Sequence, residues 1–433
     1  MDNTANNPKS AGYKIPADYC IILCICISLI IIAFITDTPD QIANGFHKIN
    51  TSRSVLVTDY IALGGLGAAL INAVVCGLFY LILLIAYKVE PSGKIILSLF
   101  LTIGFSLFGK NICNTLPLFF GVLLYSKAAR IKFSDLLVPA MLCGTVTPLI
   151  SEIAFLNDST SLYKIFAAFA VGLFVGFIFP VVMEAAKRMH RGYCLYNGGT
   201  AGGLIATFFV GILHSVGIEI LPENYWDSSH TLLLASFSYI LAVSLIVFGI
   251  IAERPGEALK KFLQLQNEKD ITDNDYLIKY GNTCYINIGI MLIVSTSLML
   301  FLGIPINGPV LGGILTVAGF AASGKHLKST APVFIGSILA AHFNHLELNT
   351  SVNSLAILFS TGLAPICAKH GWQWGIIVGF IHVSVAIIIG NLNGGLNLYN
   401  NGFAGSFVAI TILPIIVFIR ELWSSFRGKK DSE

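Results

Sequence analysis

Two polar clusters interrupt an otherwise apolar chain, and each occurs twice. The first is a Gly-Lys turn followed by Thr-x-Pro: Lys110 with Thr115 and Pro117, and Lys325 with Thr330 and Pro332. A threonine just ahead of a proline is a helix-start signal, so this spacing predicts a helix N-terminus beside a lysine. The positive end of a helix dipole and an ammonium together suit an anion or a carbonyl oxygen. The plain structural alternative is a tight interfacial turn with a snorkelling lysine. The second cluster is Leu-Tyr-Asn-x-Gly-x-Ala-Gly, with Tyr196, Asn197 and Gly199 in one copy and Tyr399, Asn400 and Gly402 in the other. Small residues let backbones approach closely, while phenol and amide groups supply donors and acceptors where lipid has none. A broken helix lining a polar cavity has this composition; so does an interfacial turn with its tyrosine in the aromatic belt. These two triplets and the two Lys-Thr-Pro sets form the expected solute-binding residues.

Other chemistries fit less well. Gly104-x4-Gly109-Lys110 approximates a phosphate-binding loop, but Asn111, and His326 in the copy, stand where Ser or Thr would hold magnesium. No Ser-His-Asp order, His-Glu-x-x-His or pair of intramembrane aspartates is present, so no enzyme is expected. Glu152, Glu184 and His382 lie in or beside apolar runs, where an ionisable residue is a functional suspect by default. The spacing of His342 and His345 suits a metal or, more simply, an interface, and no metal or cofactor is expected. The nine cysteines lie mostly inside apolar runs and read as small hydrophobes.

The elements that must position these residues are membrane helices. The chain is 55% hydrophobic and 11% charged, against about 25% charged for soluble domains. Its net charge of +3 is too small to imply a nucleic-acid partner. The first apolar run, Tyr19 to Thr36, reads as a retained helix, and the last is Phe403 to Ile419. The predicted fold is an all-α membrane protein of about 14 transmembrane or re-entrant segments. With both termini in the cytoplasm, only Lys48, Arg53, Lys110 and Lys164 of the 26 basic residues fall outside, the bias that the positive-inside rule requires.

The clusters belong to longer repeats. Gly104 to Gly121 matches Gly319 to Gly336 at eight of eighteen positions, and Gly192 to Gly202 matches Gly395 to Gly405 at seven of eleven. The expected organisation is a tail, first helix and outer loop over 1–60, repeat 1 over 61–218, a linker helix and cytoplasmic loop over 219–280, repeat 2 over 281–420, and a tail over 421–433. Repeat 1 carries a polar insertion, Glu152 to Tyr163, that repeat 2 lacks. With six segments per repeat and one between, equivalent segments are seven apart and cross in opposite directions. Inverted repeats of this kind build many transporters, with the site near the midplane between them.

On these two blocks the chain resembles a bacterial membrane family catalogued as domain of unknown function 1576. A weaker similarity is to urea channels, whose halves carry a Gly-Leu-x-Gly-Tyr/Phe-Asn motif that Leu195-Tyr196-Asn197 and Leu398-Tyr399-Asn400 resemble. The expected function is transport of a small polar solute across the inner membrane. Alternatives are a channel-like facilitator of a neutral, urea-like solute and a non-transporting scaffold or sensor. Expected partners are membrane lipid and the solute, with a coupling ion and a homo-oligomer compatible with the architecture.

Overall fold

The computed structural model describes residues 14–55, 57–220, 225–348 and 350–430. Among these the chain forms twenty α-helices and no strand. The first ten are α1 (Ala17–Thr36), α2 (Pro39–Asn50), α3 (Tyr60–Gly64), α4 (Leu66–Ala86), α5 (Gly93–Phe105), α6 (Ile112–Ala129), α7 (Leu137–Cys143), α8 (Thr147–Ala154), α9 (Leu162–Met189) and α10 (Asn197–Ser215). The second ten are α11 (Thr231–Glu253), α12 (Pro255–Leu265), α13 (Tyr276–Tyr280), α14 (Thr283–Phe301), α15 (Gly308–Phe320), α16 (Leu327–Phe343), α17 (Ser351–Ser360), α18 (Ala364–His370), α19 (Trp372–Leu392) and α20 (Asn400–Lys430). The order of lengths repeats: a long apolar helix, a short amphipathic one beginning at Pro39 or Pro255, and a one-turn helix capped by Asp59 or Asp275. Then come a long helix, two helices joined at a tight turn as a splayed hairpin whose arms pack on other helices, a helix broken by a 3-10 turn and two further long helices.

Eleven helical stretches are long and apolar enough to cross a membrane, and α5, α15 and α16 are apolar but shorter. The chain is therefore a multi-pass membrane protein with extensive lipid contact. Helices dominate because hydrocarbon leaves backbone N–H and C=O groups no partner but each other. Thirteen residues rise only about 20 Å, short of the roughly 30 Å hydrocarbon core. Both α5 and α15 are spared lipid because they pack on each other in the centre of the molecule. Every residue of α15, and all of α5 except Lys94, is buried. Gly104 faces Gly312 while Leu97 faces Gly319, so advancing along α5 means retreating along α15: the pair is antiparallel.

Each half builds the same shell around this pair. The first helix packs on the fourth (α1 on α4, α11 on α14), and the hairpin's second arm packs on the ninth helix (α6 on α9, α16 on α19). The hairpin arms begin earlier than their Thr-x-Pro sequences suggest. Asn111 caps α6 through a box with Asn114, and His326 caps α16 through a box with Ser329. A side chain that accepts the third backbone N–H is a stronger start signal than proline, which here lies inside each helix. Thr115 and Thr330 donate back to the carbonyls of Asn111 and His326, at 2.6 and 3.1 Å. Pro117 packs against Gly172 of α9 and Pro332 against Gly375 of α19. The prolines thus take part in helix packing, and Pro117 also lines a cavity of about 250 Å³ with Asn111 and Asn114. The polar stretch 152–163 forms the end of α8, a 3-10 turn and the start of α9.

Candidate functional site

The hairpin tips carry the two lysines, and both are wholly buried. At each tip the last carbonyls of α5 or α15 lack helical partners, and a buried asparagine from the preceding long helix supplies one. Asn72 Nδ2 donates to the carbonyls of Ser106 and Lys110 at 2.7 and 2.8 Å, and Asn287 Nδ2 to those of Ala321 and Lys325 at 2.9 and 2.7 Å. The end of the short amphipathic helix, or the loop just after it, closes over each tip: Asn111 Nδ2 donates to the carbonyl of Ile49 in the last turn of α2, and His326 Nε2 lies 3.1 Å from that of Glu268 just after α12.

The lysine side chains then part company. Lys325 Nζ donates to the hydroxyls of Tyr196 (2.7 Å) and Thr361 (2.8 Å), and lies over the rings of Tyr196 and Phe320. Thr361 gives its own proton to the carbonyl of Leu358, which leaves its oxygen free to accept. Lys110 Nζ instead reaches Thr102 Oγ1 at 3.3 Å and the carbonyl of Met141 at 3.4 Å, with the Tyr80 ring alongside. Its tip rests on Gly144, the first residue of the 3-10 turn Gly144–Val146 between α7 and α8. The turn between α17 and α18, Thr361–Leu363, begins with Thr361. Neither lysine lines a cavity, and neither faces a carboxylate among the described residues.

The Tyr-Asn blocks lie where the halves exchange contacts. The Leu195 N–H donates to the carbonyl of Gly362 in the second half's broken helix (2.9 Å), and Leu398 N–H to that of Thr145 in the first half's (2.8 Å). Asn397 strengthens the second contact: its Oδ1 takes the Thr145 hydroxyl proton at 2.5 Å and its Nδ2 donates to the Gly199 carbonyl at 3.1 Å. From there α10 and α20 cross, and a Cβ on Gly199 would sit 2.7 Å from the Tyr399 carbonyl and 2.9 Å from Gly402 Cα. Only glycine permits that approach. The Tyr196 and Tyr399 rings meet at 4.5 Å between centroids, flanked by Phe320 and Phe105 respectively.

Beside this crossing lies a cavity of about 240 Å³. Its mouth carries Lys94, Lys187, Glu184 and Asp273; its walls are Leu97, Leu142 and Phe320; deeper polar groups are Asn197, Ser323 and Tyr399. Asp273 receives both Lys94 (3.1 Å) and Lys187 (3.2 Å). Burial works to raise its carboxyl, but the hydrogen bonds from the two lysines outweigh it and hold the group below the usual carboxylate range. Two polar atoms at this cavity are buried without a well-formed hydrogen bond, Tyr399 Oη beside the Tyr196 hydroxyl and Asn197 Oδ1 beside the His190 ring. The Tyr196 hydroxyl beside Tyr399 is already engaged by Lys325 and Thr361. His190 neighbours Asn197; its Nδ1 accepts from the Cys194 N–H, so Nε2 carries the proton, and burial pushes the ring down to about 4 and keeps it neutral.

On the Lys110 side Phe105 and Phe359 pack on the Tyr399 ring at 5.3 and 5.1 Å between centroids and Phe108 on Phe105 at 5.6 Å, all three buried. Asn400, the counterpart of Asn197, takes a hydrogen bond from Asn393. A larger hollow, about 1020 Å³, is an apolar groove between α1 and α11 with no functional side chain.

Of the sequence-predicted residues, the structure joins Tyr196, Asn197, Gly199, Tyr399, Asn400, Gly402 and Lys325; Lys110 and the Thr-Pro sets stand apart. Glu152 pairs with Arg53 in a buried two-pronged bridge (2.9 and 3.0 Å) rather than lining a cavity. No group of three or more His, Cys, Asp or Glu side chains suited to a metal occurs among the described residues. The sequence reading missed Thr145, Thr361, Asn397 and His190. It also missed Asn72 and Asn287, which the spacing of the first repeat could have revealed, since they are polar residues of two apolar runs at its offset.

Fold and site define a polytopic, internally duplicated all-α membrane protein. The model of the family described as "Protein of unknown function (DUF1576)" matches residues 38–215 and 254–418, most of the chain, and the chain belongs to that family. The two matched stretches open at equivalent points, just after α1 and just after α11. No curated protein and no solved structure matches the chain.

Proposed function

We propose that the protein is a carrier of a small polar solute, built from two halves of opposite topology and bound to its solute where the Tyr-Asn blocks cross. On this reading the repeat unit is the ten-helix half, α1–α10 and α11–α20, each with seven membrane segments. An odd number inverts the second half, and both termini face the cytoplasm. The antiparallel packing of α5 on α15 supports inversion, because two equivalent helices related by a two-fold axis in the membrane plane must run oppositely. The distribution of Lys and Arg supports the same threading and a cytoplasmic-membrane location.

The observation that carries the reading is the asymmetry of the crossing. A cavity leads to Tyr399 and Asn197 from the Lys325 side, while on the Lys110 side Phe105 and Phe359 pack on Tyr399 with Phe108 on Phe105, and the cavity of about 250 Å³ at that tip is lined by Asn111 and Asn114 and not by either tyrosine. A site open to one face and closed to the other is what alternating access requires, and two related halves can exchange arrangements to open the opposite face. The aromatic plug favours this over an open channel. With the protein reconstituted in vesicles, Asn197→Ala and Asn400→Ala are expected to abolish uptake without changing the amount inserted. Full uptake by both variants would remove the site from the reading, and flux indifferent to every ion gradient would favour the facilitator.

A further inference from the structure

The chemistry of the cavity narrows the solute. Four ionisable side chains line its mouth, two lysines and two acids, and Asp273 binds both ammonium groups. Beyond the mouth the lining is uncharged: the Asn197 amide, the Ser323 and Tyr399 hydroxyls, and apolar walls. The two buried lysines are turned away onto Thr102 and onto the Tyr196–Thr361 pair. An ion moved to this depth would lose its water and find no opposite charge, a cost of several kcal/mol. An uncharged solute faces no such penalty, and Tyr399 Oη and Asn197 Oδ1, which have only the Tyr196 hydroxyl and the His190 ring beside them and no well-formed hydrogen bond, can turn to it. Tyr399 is 1% exposed, so its hydroxyl has no bulk water to fall back on.

We infer that this cavity binds a small uncharged solute with both hydrogen-bond donors and acceptors, an amide or polyol, held directly by Asn197 and Tyr399. This rests on the carrier reading above and specifies its cargo. A carbonyl or hydroxyl oxygen takes a proton from the Tyr399 phenol or the Asn197 amide nitrogen, and an N–H or O–H donates to Asn197 Oδ1. The apolar walls at Leu97, Leu142 and Phe320 accommodate the carbon skeleton.

The test uses purified full-length protein in vesicles, with urea, acetamide, glycerol and xylose followed by light scattering and glutamate, choline and phosphate by isotope uptake. At least one neutral solute is expected to cross faster than in protein-free vesicles while the ions do not. Tyr399→Phe should lower that flux roughly tenfold, about one hydrogen bond's worth, Asn197→Ala should abolish it, and gel filtration of both variants checks that they fold. Movement of an ion with all four neutral solutes stationary would overturn the solute class and leave the carrier reading standing. Neutral flux untouched in both variants would overturn the partners. No movement of any solute would bring down the carrier reading itself, and the class with it.

Discussion

The Lys110 and Lys325 tips are copies of one sequence block in different surroundings. Both are tied by an asparagine from the preceding helix and covered by the same kind of loop. On the Lys325 side the lysine reaches across to the other half's tyrosine; on the Lys110 side it stays within its own half. One residue at the break accounts for much of this. Thr361 offers a hydroxyl oxygen to Lys325, whereas at Gly144 a side chain would collide with Lys110. The covering loops differ too, and in sign: Arg53 binds Glu152 on the Lys110 side, and on the other Asp270 faces Lys369 at 3.7 Å. A shared backbone therefore carries one tip that borders a separate cavity through Asn111 and Asn114 and one that borders the cavity at the tyrosines through Phe320 and Ser323.

The comparison breaks most readily at the covering loops. Glu152→Ala takes the two-pronged partner from Arg53, 8% exposed, and breaking a buried pair costs about 3–5 kcal/mol, less what Asp158 at 4.0 Å retains. Lys369→Ala removes a partner from an exposed pair and is expected to cost no more than about 1 kcal/mol. Thermal unfolding in detergent reads both, and equal losses would show that the two loops are equally tight.

Next come the tip asparagines. Each gives two hydrogen bonds to carbonyls that have lost their helical partners, so Asn72→Ala and Asn287→Ala should each cost about 1–3 kcal/mol. Asn287 also accepts from Gln266 at 3.0 Å, whereas Asn72 Oδ1 has no partner, which places Asn287→Ala at the costlier end. Denaturant titration of the pair measures the difference, and a larger loss at Asn72 would contradict it.

Smaller effects follow at Thr361. Thr361→Val keeps shape and removes the oxygen that Lys325 and Tyr196 share, so hydrogen exchange of the Leu195–Tyr196 segment should rise by about one hydrogen bond's worth, roughly five- to tenfold. Unchanged exchange there would show that the lysine does not link the halves.

The smallest is a pH effect on the Lys110 side. Asp59 caps α3 and accepts from the Asp227 N–H at 3.0 Å; burial pushes its carboxyl up to about 7, against the N–H groups of Asp227 and Ile61. The folded state therefore holds this proton more tightly than the unfolded chain. The contribution is fully present below the usual carboxylate range and is lost as pH rises through about 7. Protection factors of residues 225–231, which divide out the base-catalysed intrinsic rate, should fall as pH rises from about 6 to about 8, and Asp59→Asn should abolish that fall.

Much of this was legible in the sequence and some was not, for identifiable reasons. The membrane class, the duplication and the Tyr-Asn blocks follow from apolar runs and repeated residue types, which are local signals. The docking of Leu195 on Gly362 and of Leu398 on Thr145 joins residues far apart in the chain, and no local pattern encodes which half receives which block. The expectation of a lysine offering its ammonium to a ligand took account of the helix end and not of a hydroxyl supplied by Thr361. The helix starts were misplaced at Thr115 and Thr330 because proline was weighed above the capping side chains of Asn111 and His326.

The α10–α20 crossing bears on how this chain can drift. Gly199 and Gly402 share one contact, each filling the space that would admit a side chain on the other. They behave as one heritable character despite lying on separate copies of a duplicated segment. Across an alignment of homologues the two positions are expected to depart from glycine together or not at all, whereas Asn197 and Asn400, which make no common bond, are free to specialise separately. Loss of one glycine alone in a functional relative would refute that coupling.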